Sequence, residues 1–330
     1  MKKIISSIIA LTVASAAFLG CTANENTSEN TSSAHKLSIV TTIFPEYDWT
    51  REILGENADN TELTMLLDNG VDLHSYQPTA DDIIKISDCD LFIYVGGESD
   101  GWVDDALKNA ANKDMKVINL LDVLGDNVKT EETVEGMQEE EEEHENDEEH
   151  EEEKDEHVWL SLKNAEVLCS AIADALEEID PDNKAAYAAN ASAYIAELSA
   201  LDKDYSDTVN NAARKTVLFG DRFPFRYMVD DYGLSYYAAF AGCSAETEAS
   251  FETVSFLAKK TDELGLPCIL TIEGAKHNIA ETIVQNTGSK DQKILTMDSM
   301  QATTSEDVKD GVTYLTVMDK NLSVLKEALN

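Results

Sequence analysis

Asp180-Pro181-Asp182-Asn183-Lys184-Ala185-Ala186-Tyr187 opens the stretch, running on to Ala212, whose reading decides the fold. Pro181 stands where a first helical turn tolerates it, and the acids beside it lie where a helix dipole favours negative charge. From Asp182 to Phe219 the chain has neither Gly nor Pro. Apolar or small residues recur at Tyr187, Ala191, Tyr194, Leu198, Leu201, Tyr205 and Thr208, in steps of four and three. That spacing draws one seam along a helix. At ~1.5 Å per residue such a helix is roughly 45 Å long, more than a small domain is wide. Strand-helix alternation restarts on either side, so the stretch is expected to be a stiff linker helix over 181–212 that joins two lobes.

Before it, the β-branched run Leu37-Ser38-Ile39-Val40-Thr41 reads as a strand, followed by a helix from about Tyr47 that stops at Gly55. Further strands are expected at 62–67, 90–95 and 116–120. Thr79, with Asp82 three residues on, should cap a helix carrying Ile83, Ile84 and Ile86. Helices are also expected at 102–109 and 164–179. After the linker, strands at 216–219, 235–240, 268–272 and 294–297 alternate with helices at 225–232, 251–264 and 279–287 and a last one ending near Leu329. The expected fold class is α/β: two similar α/β lobes with mainly parallel sheets, joined by one long backbone α-helix. The lobes span 36–180 and 213–330. No internal sequence repeat supports a duplication.

The 330 residues suffice for two domains, and 43% hydrophobic content allows a real core. A net charge of -40 excludes the electrostatic footprint of a nucleic-acid binder and suits a cation binder. Much of that charge falls in Glu131 to Glu156, which holds 17 acids, one Lys, His144 and His150. A block of that kind repels itself and is expected to be disordered, either a solvated spacer or a weak cation-collecting loop. At the N-terminus, Lys2 and Lys3 precede an apolar run from Ile4 to Leu19 that is too short and too diluted by hydroxyls to span a membrane. Phe18-Leu19-Gly20-Cys21 resembles the lipobox of bacterial lipoproteins, which makes Cys21 the expected lipid attachment. Residues 1–35 are therefore expected to be a signal peptide and flexible tether, and the chain an extracytoplasmic lipoprotein on the outer face of the cell membrane. Cys89, Cys169, Cys243 and Cys268 include no metal-binding spacing, which argues against a thiolate zinc site. Pairing and buried free thiols both stay open.

Open parallel sheets bind ligands beyond the carboxyl ends of their strands. His74, in Asp72-Leu73-His74-Ser75-Tyr76-Gln77-Pro78, lies beyond the second strand, and His157, in Glu156-His157-Val158-Trp159-Leu160, lies where the acidic block rejoins the fold. Asp298 follows the 294–297 strand, and Asp221 and Arg222 follow the 216–219 strand. Imidazole and carboxylate together suit a borderline divalent ion. The two His segments, the 180–190 helix opening and the later Glu273, Ala280-Glu281-Thr282-Ile283, Thr287-Gly288 and Asp298-Ser299-Met300 resemble the zinc- and manganese-specific solute-binding proteins of ABC importers, the cluster A-I family. The resemblance covers the chain from Lys36.

It implies a metal between the lobes, zinc with manganese as the alternative, held by His74, His157 and Asp298 and delivered to an ABC permease by a monomer. The family's third ligand, His or Glu, falls on Arg222, which has no lone pair to offer. Asp221 or His277 could replace it, with Glu273 nearby, or Arg222 could pair with a carboxylate while water takes the fourth position. Two other classes compete: a metal-dependent hydrolase, for which no general base, nucleophile elbow or phosphate loop is apparent, and a surface adhesin or metal sensor.

Overall fold

The computed structural model describes residues 36–138, 153–244, 248–274 and 276–330. The leader, Cys21 and the tether lie outside the described residues, as do His144, His150 and the middle of the acidic run.

Two four-stranded sheets organise residues 36–330. The first contains β1 (Ser38–Thr41), β2 (Glu62–Met65), β3 (Leu91–Tyr94) and β4 (Lys116–Asn119) in the order β2-β1-β3-β4. The second contains β5 (Thr216–Phe223), β6 (Ser235–Ala241), β7 (Cys268–Thr271) and β8 (Lys293–Thr296) in the order β6-β5-β7-β8. Every pairing within these sheets is parallel, so each connection must cross over, and helices supply the crossovers. The lobes thus share one strand order although their sequences show no repeat. In each, the order reverses between the first and third strands, where open sheets leave a crevice at the strands' carboxyl ends.

The helices of the first lobe are α1 (Phe44–Leu54), α2 (Ala80–Asp88), α3 (Val103–Lys108), α4 (Leu120–Leu124) and α5 (Leu162–Ile179). Helix α1 begins three residues before its expected start, because Pro45 suits the first turn and Glu46 turns back to accept the Thr42 and Ile43 amides at 2.8 and 3.2 Å. The linker helix α6 (Lys184–Asn211) is 28 residues long. Residues 180–183 form its entry turn, where the Asp180 carboxylate accepts from Asn183 Nδ2 at 2.8 Å and Tyr187 OH at 2.6 Å. Its buried seam is Tyr187, Ala191, Tyr194, Leu198, Tyr205 and Val209, with Val209 taking the place expected of Thr208.

The second lobe adds α7 (Arg226–Tyr232), α8 (Phe251–Leu264), α9 (Asn278–Asn286), α10 (Ser305–Lys309) and α11 (Tyr314–Ala328), so the single C-terminal helix expected is two. Helix α6 packs on α1 and α5 of the first lobe and on α7 and α11 of the second. It does not join the lobes alone. Tyr314 of α11 donates its hydroxyl to Trp159 O at 2.7 Å, its amide donates to Asp48 of α1 at 2.8 Å, and its ring meets Trp49 edge-on at 5.1 Å. One hydrophobic core consequently runs through both sheets.

Two further expectations need correction. Strand β5 does not end at Phe219; it continues to Phe223 through a bulge in which two residues, Gly220 and Asp221, stand against one, Ala239, on β6. Gly220 permits this, since a Cβ there would lie 2.7 Å from Ala280 Cα of α9. The acidic run is ordered at both ends: Glu131 N donates to Glu153 O at 2.8 Å and Asp155 N to Lys129 O at 2.9 Å, a short antiparallel clasp. Gln138 N reaches Ala239 O of β6 at 3.0 Å. Backbone pairing and contacts with α7 and β6 outweigh charge repulsion at these ends.

Candidate metal centre

His74 lies in a one-turn helix, Leu73–Ser75, beyond β2. Asp72 caps that turn by accepting the His74 amide at 3.0 Å, and this aims the ring inward. The loop after β3 supplies the support. Gly96 and Gly97 take φ of 92° and 81°, and a Cβ on Gly97 would strike Glu156 Oε1 at 2.3 Å. The carboxylate therefore fits only against glycine here. Ser99 N donates to Glu156 Oε1 at 2.9 Å, while His74 Nδ1 meets Ser99 Oγ at 2.8 Å and Glu156 Oε2 at 3.4 Å. Burial acts to raise the Glu156 pKa, but the bonds from His74 and Ser99 overcome it and the net shift is downward.

His157 is fully buried, and its Nδ1 lies 3.0 Å from Asp155 Oδ1. Tyr227 OH of α7 in turn donates to Asp155 O at 2.7 Å. An ionised carboxylate only accepts, so the His157 Nδ1 proton points at Asp155, while His74 Nδ1 faces the Ser99 hydroxyl with Glu156 Oε2 farther off; the two Nε2 atoms are left facing one another. Those two Nε2 atoms are 3.2 Å apart. At that distance the two nitrogens either share a proton, as the neutral His74 tautomer allows with Ser99 Oγ donating to its Nδ1, or hold a metal ion between them. A tetrahedral zinc with Zn–N bonds of ~2.0–2.1 Å would place them about 3.3 Å apart. Burial acts to lower the His157 pKa, but the Asp155, Glu156 and Glu131 carboxylates outweigh it and the pKa is raised.

A third donor belongs to the group. Cys243 Sγ and ligand nitrogens of His74 and His157 all lie within 4.8 Å of one another. Gly242 makes this approach possible, because a Cβ there would stand 2.9 Å from His157 Cε1. The four described cysteines are free, and Cys243 is the half-buried one. The expectation against a thiolate site rested on spacing along the chain, which excludes a cysteine pair; the fold brings one cysteine near two histidines. The same group could not be read from the sequence because its members come from three separate loops.

The remaining expected residues are elsewhere engaged. Arg222 Nη2 donates to Asp72 Oδ2 at 2.6 Å, an ion pair across the crevice, and Nη1 reaches Ser244 O at 3.4 Å. This is the carboxylate pairing that arginine's chemistry suggested. Burial would raise the Asp72 pKa, but the Arg222 guanidinium overcomes it and holds the carboxyl below its usual range. Asp221 accepts the Arg222 and Ile272 amides at 2.9 and 3.3 Å, so it does not turn to the histidines. His277 is the N-terminal cap residue of α9 and, among the described residues, is outside the clustered ligand atoms.

Asp298 is outside them as well. Its carboxylate accepts Met300 N at 2.8 Å, and its backbone is held on both sides by Asn321. Burial, then the neighbouring Glu273 charge, push the Asp298 pKa up to about 6. Glu273 is occupied in shaping the next turn: it accepts Ser299 N and Oγ, each at 2.6 Å, and Gln301 N at 3.2 Å. Met300 takes the left-handed φ of 63° in that turn, and Ser299 O receives the Trp159 indole at 2.8 Å. Asp298 thus stands on a rigid turn docked beside the His157 segment without joining its donor group.

Two parallel-sheet lobes joined by a long bridging helix thus carry facing imidazoles in the crevice. A family model described as "Zinc-uptake complex component A periplasmic" matches residues 39–328, and the chain belongs to that family. It is 34% identical over 292 residues to the zinc-binding lipoprotein AdcA of Streptococcus pneumoniae TIGR4, covering 88% of this chain and 56% of that protein. The chain thus spans little more than half of that relative. It is 33% identical over 299 residues to the high-affinity zinc uptake system protein ZnuA of Bacillus subtilis 168, covering 90% and 89% of the two chains. Among solved structures, the Zn(II)-bound ZnuA-like domain of S. pneumoniae AdcA superposes with a TM-score of 0.69 at 31% identity, over 89% of this chain and 99% of that one. The metal-dependent lipoprotein YcdH of B. subtilis gives 0.71 at 29% identity, again over 89% and 99%. Among the described residues, no helix is long and apolar enough to cross a membrane.

Proposed function

We propose that the chain is an extracytoplasmic, lipid-anchored protein that captures one zinc ion between its lobes and hands it to the permease of an ABC importer. The observation that carries this reading is the facing pair of Nε2 atoms at 3.2 Å, with His157 tied by Nδ1 to the buried Asp155 carboxylate and His74 by Nδ1 to Ser99 Oγ beside the buried Glu156. That geometry is preorganised for a tetrahedral ion and leaves other positions open for further donors. Zinc is favoured over manganese because imidazole suits it, whereas manganese prefers carboxylate and water oxygens. The zinc-uptake and zinc-binding names of the relatives at 33–34% identity point the same way. The Phe18-Leu19-Gly20-Cys21 segment supports anchoring through Cys21, and the protein acts as a monomer without catalytic turnover. Because α6, α11 and the Trp159 turn share one core across the lobes, capture needs only small closing movements.

The test is the metal content and stoichiometry of protein purified without added metal, followed by calorimetric titration of zinc into metal-free wild type, His74→Ala and His157→Ala. One ion per chain is expected, with tight binding lost in both variants while circular dichroism is unchanged. Tight binding retained in both variants would refute the reading. Growth of a deletion strain in zinc-poor medium tests the import role, and unimpaired growth would refute that part.

A further inference from the structure

We propose that Cys243 is a third protein ligand of the captured ion, giving an imidazole-imidazole-thiolate donor set that selects zinc over manganese. The inference rests on reading His74 and His157 as zinc ligands, and it adds the residue that decides which ion they keep. Two imidazoles fill only half of a tetrahedral zinc's positions. Arg222 carries no lone pair, and the Asp221 and Asp298 carboxylates are engaged with backbone amides. The sulfur already lies with both rings inside a 4.8 Å group. A zinc ion bonded at ~2.3 Å to sulfur and ~2.0–2.1 Å to nitrogen separates those ligand atoms by about 3.6 Å, so at most roughly 1 Å of movement completes the site.

The loop that presents Cys243 is held from two sides. Its amide donates to Glu131 Oε1 at 2.9 Å, in the ordered foot of the acidic run, and the following Ser244 O accepts from Arg222. Gly242 lets this loop lie against His157. The other three described cysteines are buried; Cys89, for example, contacts Ile86 O and Met115 within the first lobe. When zinc binds, the S–H bond breaks, its proton leaves to solvent and the sulfur lone pair forms the metal bond; no electrons are transferred. A soft thiolate favours zinc, while manganese gains little from it.

Cobalt(II) titrated into the metal-free full-length chain reads the donor set directly. A strong sulfur-to-cobalt charge-transfer absorption in the near ultraviolet is expected, and Cys243→Ser should abolish it while weaker cobalt binding through the imidazoles persists. Zinc affinity should fall by more than about a hundredfold in Cys243→Ser, since supporting partners alone are worth 10–100-fold, with manganese affinity changed by less than about threefold. Cys243→Asp should move the preference toward manganese. Absence of the charge-transfer absorption in wild type, or an unchanged zinc-to-manganese preference in both variants, overturns the inference while leaving His74-dependent zinc capture intact. A wild type that binds no zinc tightly overturns both readings.

Discussion

Replacing Asp100 by Asn probes a pair of buried carboxyls behind the metal centre. Asp100 is 3% exposed; its Oδ2 accepts Gly96 N at 2.9 Å, and Oδ1 has no hydrogen-bond partner. Glu46 is fully buried with Oε1 likewise unpartnered, and burial and then Asp100's charge push its pKa well up. Burial raises the Asp100 carboxyl from 3.8 to about 7, helped by the charge of Glu156. A raised acid holds its proton in the folded state after the unfolded chain has lost its own. Its favourable contribution is therefore complete below 3.8 and is lost as pH rises through about 7. At ~1.36 kcal/mol per pKa unit, the ionised group costs at most about 4 kcal/mol above that window, and relaxation reduces this to roughly 2 kcal/mol. Asn keeps an acceptor for Gly96 without the charge. Urea unfolding of metal-free protein across a pH series should show Asp100→Asn stabilised by roughly 2 kcal/mol near pH 8 and unchanged near pH 4. An equal effect at both pH values, of either sign, would refute the linkage.

Asp155→Asn should weaken zinc binding by about 10–100-fold with little change in fold, because His157 loses the acid that orients it and raises its basicity; calorimetry that finds no change would dismiss this support. Deleting residues 139–152 should leave the tight site intact and remove only weak cation binding, whereas extending the deletion through Asp155 should destroy the tight site as well. Equal zinc titrations for the two deletions would contradict the role given to the ordered feet of the acidic run. Arg222→His should break the ion pair with Asp72 and cost about 1–3 kcal/mol of stability, as expected for removing one partner of a charged hydrogen bond, and urea unfolding at wild-type strength would count against the pair.

The fold was legible because its signals are local. The seam from Tyr187 to Tyr205 needed only the 3.6-residue period, and the strands needed only β-branched runs bounded by turns. The shared strand order of the lobes was not legible, since a parallel sheet constrains which strands neighbour each other without demanding similar side chains. The bulge at Gly220 escaped for a related reason: glycine's role there is to admit Ala280 of α9, a residue 60 positions away. Likewise, counting acids along 131–156 describes the repulsion within the run but not the backbone pairing of Glu131 with Glu153 that closes its base.

The metal centre divides along the same line. His74 and His157 stood out because each lies beyond a strand or loop end in a short segment that resembles the family's, and each has a local support, Asp72 capping the first turn and Asp155 holding the second ring. Cys243 carries no such mark, since its partner Glu131 is 112 residues away and its nearness to His157 depends on a missing side chain at Gly242. Arg222 shows the converse. A sequence position that resembles a ligand holds a cation, and the fold uses that charge to draw Asp72, the cap of the His74 turn, toward the second lobe. The guanidinium thereby links the two walls of the crevice, and it also holds the Ser244 carbonyl of the loop after β6, which presents Cys243. One residue thus joins both walls and the cysteine loop, so its loss should disturb the spacing of all three donors.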